Sequence, residues 1–139
     1  MPPLSAWMVR MALIALGTGF TIGAWMLTAK AIPFDPTYRR LLAPHIEVLL
    51  FGWLLQLAVG MAVWILPRFE KPPKYGRIRL AWAGFILLNT GILCVVIGSY
   101  LGGPSDPLAL AGHLAELIAV ALLAVFLWPR VKPFMGDRD

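Results

Sequence analysis

YRRLLAPHIEVLLFGWLLQLAVGMAVWILPRF, residues 38–69, is the stretch whose reading decides the fold. Between Ile46 and Leu66 its only strongly polar side chains are Glu47 and Gln56. That is the length, roughly 20 apolar residues, needed to cross a bilayer as a helix. The segment is therefore a membrane span before it is anything else. At about 100° per residue, Gly52, Gln56 and Gly60 fall on the same side as His45, while Leu, Val, Trp and Ile fill the rest of the surface. One face is thus small and polar, and it can admit something flat and large.

The whole chain shares this character. Its 139 residues are 60% hydrophobic and 14% charged, and its mean hydropathy is +0.78. A soluble domain of this size is never so apolar, so one integral membrane domain covering residues 1–139 is expected. The formal net charge is +5, but the basic residues gather at the ends of apolar runs, which fits membrane topology and not a nucleic-acid surface. Cys94 is the single cysteine. It forms no disulfide within the chain and reads as a small packing residue.

Three further spans follow outward from the central one. An all-α fold is predicted, a four-helix transmembrane bundle in up-down order with spans at about 11–28, 46–66, 80–101 and 108–128. The first carries Gly19 and Gly23 in the GxxxG spacing of closely packed membrane helices. Arg10, the apolar run and Ala29-Lys30-Ala31 also imitate a signal peptide, but the segment is expected to be retained as a span. Pro33, Pro36 and Pro44 interrupt the connection to the second span and set up its entry. Gly84, Gly91 and Gly98 put a smooth stripe on the third span, with Asn89 buried near its middle, as helix packing requires. Gly102 to Pro107 reads as a tight turn in which Asp106 or Ser105 caps the fourth helix. The second and fourth spans echo each other: each opens on a histidine, carries a glutamate two or three residues later, and closes on Pro-Arg.

Of the twelve Lys and Arg residues, nine fall on one side of the four spans and three (Lys30, Arg39, Arg40) on the other. Both termini are therefore expected in the cytoplasm. His45 and His113 then lie at the outer ends of two parallel helices, at about the same depth. Two imidazoles across a helical interior can hold haem b by both axial positions, non-covalently because there is no CxxCH. Arg39 and Arg40 are placed to meet its propionates, and Gly52 and Gln56 to line its slot. A plainer reading is that each histidine only satisfies backbone groups at a helix mouth. A third reading takes His45, His113, Glu47 and Glu116 as ligands of zinc or non-haem iron. Glu47, though, projects about 200° away from His45 around the helix, so the two are badly placed to share an ion.

The central stretch also resembles the second helix of the catalytic subunit of haem-copper oxidases and nitric-oxide reductases. There, basic residues precede a histidine, a Gly-Trp or Gly-Phe follows, and Pro-Arg closes the helix. Arg39, Arg40, His45, Gly52, Trp53, Gly60, Pro67 and Arg68 match that pattern. The resemblance implies that His45 is an axial ligand of a low-spin haem and that the chain corresponds to about the first four helices of a longer subunit, without its copper site. Electron transfer or NO- or O2-related haem binding follows as the expected role, with a cofactor-free accessory subunit of a respiratory complex as the alternative. In that family twelve helices form three four-helix arcs about a pseudo-threefold axis, so a one-arc chain is expected to assemble as a homotrimer in membrane lipid. The implied location is the plasma membrane of a bacterium or archaeon.

Overall fold

The computed structural model describes residues 1–32 and 36–131. They form four helices long and apolar enough to cross a membrane, and no strand occurs among them. Helix α1 runs Pro3–Ala31. Helix α2 is the span Tyr38–Ile65, α3 is Ile78–Leu101, and α4 is Pro107–Leu127, followed by the 3-10 turn Trp128–Arg130.

Contacts between helices fix an up-down order. Near the start of α1, Ser5 donates a hydrogen bond to the Gly60 carbonyl near the end of α2 at 2.6 Å, while Gly19 and Gly23, further along α1, meet His45 near the start of α2. On α3, Gly98 lies against Ala109 and Gly84 against Leu123, so α3 and α4 are also antiparallel. Arg130, just past α4, reaches the last carbonyls of α2, so α2 and α4 run parallel. The first and last described residues thus lie at one end of the bundle.

Small residues set the spacing. A Cβ added at Gly84, Gly91 or Gly112 would stand 2.7–2.8 Å from atoms of the facing helix, and one at Gly98 would collide with the backbone at Ala109. The stripe on α3 therefore seats α4 almost backbone to backbone, as small residues allow in membranes. Helix α2 touches all three others, whereas α1 and α4 make no contact among the described residues. The arrangement is an open arc around α2 and does not close into a ring.

Three details differ from the sequence expectations. Helix α1 begins at Pro3 and not near residue 11, because Pro3 suits the first turn, where its missing N–H costs nothing. Arg10 is carried on the exposed side with its guanidinium over Trp7, 5.6 Å from the ring centre. Pro44 does not delay the second helix either; it is the third residue of the α-helical segment Leu42–Glu47, still within the first turn. A 3-10 turn, Pro36–Leu41, precedes that segment. Finally, α2 is not uniformly α-helical: Val48–Leu55 is π-helical and Gln56–Ile65 returns to α. Bonds from i to i+5 carry more residues per turn, so each residue rotates the helix less and a 100° projection fails across this stretch. Asp106 caps α4 as expected, accepting from the Leu108 N–H at 2.9 Å. Pro33, and Lys132 and Arg138 of the basic tally, lie outside the described residues.

Candidate functional site

Both histidines lie at the end of the bundle opposite Arg130, but they face different neighbours. The His45 ring turns toward α1, where its Nδ1 is 2.9 Å from the Gly19 carbonyl. A carbonyl only accepts, so Nδ1 carries the proton and the neutral ring keeps its lone pair on Nε2. Gly23 makes room for the ring, because a Cβ there would stand 2.8 Å from His45 Cε1. The GxxxG of α1 is thus a seat for an imidazole as well as a packing motif. An imidazole fixed by a backbone acceptor on one nitrogen, with the other free, is the form that ligates a metal.

His113 turns toward Glu116, with Nδ1 3.2 Å from Oε2. Glu47 joins them from α2: one donor atom from each of Glu47, His113 and Glu116 lies within 4.8 Å of the others. The carboxylates are enclosed, Glu47 at 6% and Glu116 at 3% exposure, while the His113 side chain is 47% exposed. Gly91 provides the space for Glu116, whose Cγ would be 2.8 Å from a Cβ at that position. The grouping that the structure forms is Glu47 with His113 and Glu116, and His45 stands apart from it, as the 200° offset between positions 45 and 47 requires.

The other expected site residues divide between packing and surface. Gly52 and Gly60 face α1, against Ala15 and Met8, so the small face of α2 is covered by a neighbouring helix. Gln56 is fully enclosed and accepts a 2.8 Å hydrogen bond from Asn89 on α3. Arg39 and Arg40 are exposed on the 3-10 turn ahead of His45. An open crevice of about 410 Å³, lined by Phe69, Leu80, Phe126 and Pro129 among others, lies at the opposite end from both histidines.

One working residue was not singled out from sequence. Arg130 is 1% exposed and donates to the carbonyls of Pro67, Val63 and Leu66 at 3.1, 3.0 and 2.7 Å. In a continuing helix the Val63 carbonyl would take the N–H of residue 67, but that residue is proline and has none. The paired Pro-Arg endings were the available signal: the proline of one span opens carbonyls that the arginine of the other fills.

Four apolar spanning helices define a multi-pass membrane protein. The sequence model of the family described as Cytochrome C and Quinol oxidase polypeptide I matches residues 4–131. The chain belongs to that family, which is the oxidase subunit I of the haem-copper oxidases. No curated protein and no solved structure matches it.

Proposed function

We propose that this chain is a b-type haem protein of the membrane, with His45 as a ligand of the haem, serving electron transfer or the binding of NO or O2. The observation that carries the reading is the His45 ring, whose Nδ1–H donates to the Gly19 carbonyl and so leaves the lone pair on Nε2, within the stretch that carries the family resemblance. These residues fit the group. When bound, haem b supplies a one-electron iron couple, and its potential responds to the ligand's hydrogen bonding. Gly19 and Gly23 hold the imidazole in place, and Arg39 and Arg40 meet the propionates as charge-assisted donors.

The small face of α2 is filled by α1, and α1 and α4 do not close a ring. The group is therefore read as lying on the outer side of the arc, where a second chain completes its surroundings. Its other ligand is then a histidine of a neighbouring chain, because His113 of the same chain turns to Glu116 and not toward His45. A homotrimer joined through apolar faces that are exposed in one chain, such as Phe20, Trp25 and Leu27 of α1, closes such an arrangement. The nine-to-three distribution of basic residues in the sequence supports a cytoplasmic side for both termini.

Purified chain produced with ample haem supply is expected to be red and to give a b-type pyridine haemochrome, with one haem lost per chain in His45→Ala. A colourless chain rejects the reading, and its co-purification with an oxidase then favours the accessory-subunit role. Mass measurement in detergent tests the trimer: a clean monomer removes it.

A further inference from the structure

We infer that Glu47, His113 and Glu116 form a divalent-cation site, separate from His45, at the seam between α2 and α4. Three independent features point there. The first is convergence: two carboxylates and one imidazole from two helices bring donor atoms within 4.8 Å of each other. A tetrahedral zinc ion with bonds of about 2.1 Å holds its ligand atoms roughly 3.4 Å apart. The His113–Glu116 separation of 3.2 Å already has that spacing, and side-chain rotation suffices to bring in Glu47.

The second feature is unmet bonding capacity. Oε1 of Glu47 and Oε1 of Glu116 are both enclosed and have no hydrogen-bond partner. A buried carboxylate oxygen without a donor is costly, and the cost rises in a membrane. No Lys or Arg offsets the pair: among the described residues the only ion-pair partner of either glutamate is His113. Two carboxylates with a neutral imidazole carry two negative charges, which one divalent cation balances. The third is access. The half-exposed His113 leaves the site open on one side, an entry path for the ion and room for a water ligand.

One nitrogen and two carboxylate oxygens suit zinc, or ferrous or manganous ion, and for such donors zinc is held more tightly than iron or manganese. The backbone supports the ligands. His113 and Glu116 are i,i+3 on one face of α4, Glu116 lies on Gly91, and Glu47 is the last residue before the π-helical segment. π-helical segments recur at functional sites.

The test uses the purified full chain in detergent, stripped with chelator and titrated with zinc chloride by calorimetry, and with cobalt(II) for its visible spectrum. One zinc per chain is expected, with tetrahedral cobalt bands. Glu47→Gln, Glu116→Gln and His113→Gln keep side-chain volume, and each should weaken zinc binding by at least about 100-fold. His45→Ala should leave zinc binding unchanged, and Glu116→Gln should leave haem content unchanged, so this proposal and the haem reading fail separately. Circular dichroism confirms that each variant is folded. If wild type binds no zinc, the two carboxylates share a proton instead and the proposal is overturned. It is overturned equally if all three variants bind as wild type does, the mark of an adventitious ion only.

Discussion

Replacing Arg130 with methionine removes the one side chain that terminates α2. The guanidinium makes three hydrogen bonds of 2.7–3.1 Å to the Pro67, Val63 and Leu66 carbonyls. It also lies 5.6 Å from the Tyr75 ring centre and 5.7 Å from that of Phe126. A hydrogen bond from a charged donor contributes about 1.5–3 kcal/mol. The three share one side chain and sit at a helix end, where water can replace part of what is lost, so the low end applies. Methionine retains most of the volume, which leaves the polar loss as the main term. The expected destabilisation is about 4 kcal/mol, or on the order of 1000-fold in the unfolding equilibrium. Arg130→Lys keeps the charge but not the planar fork and should lose about half as much. Cys94 supplies the assay: it is the only cysteine and is part-buried on α3. Its rate of labelling by a thiol-reactive dye, measured across a detergent-denaturant series, reports opening of the bundle. Labelling of Arg130→Met within two-fold of wild type throughout the series would refute the capping role.

Two other sites test the packing in the same assay. Asn89→Leu strands the enclosed Gln56, whose Oε1 loses its donor and whose Nε2 already has no partner, and should cost about 1–2 kcal/mol. The double variant Gln56→Leu/Asn89→Leu should recover most of that loss, and an additive result would show that the bond is not what couples α2 to α3. Gly98→Leu drives a side chain into the backbone at Ala109 and should destabilise the α3–α4 pair by about 1–3 kcal/mol; unchanged labelling would mean that these helices do not pack at the Gly98 crossing.

The sequence by itself determined that this chain is four membrane helices and to which family it belongs. Both follow from local properties. An apolar run of about 20 residues must satisfy its own backbone in lipid, and only a helix does so within one segment. The order of basic, histidine, Gly-Trp and Pro-Arg elements around His45 is likewise written in a single stretch. The glycine stripe on α3 was legible as a packing face because spacing alone puts Gly84, Gly91 and Gly98 on one side. What the tertiary structure decided are the partners. That His45 meets Gly19, Glu47 meets His113 and Glu116, and Arg130 meets Val63 depends on which faces of separate helices come together, the last pair 67 positions apart in the chain. Spacing within one helix cannot specify this, and across Val48–Leu55 it misleads, because the π-helical winding changes the angle between residues on which every facial projection rests.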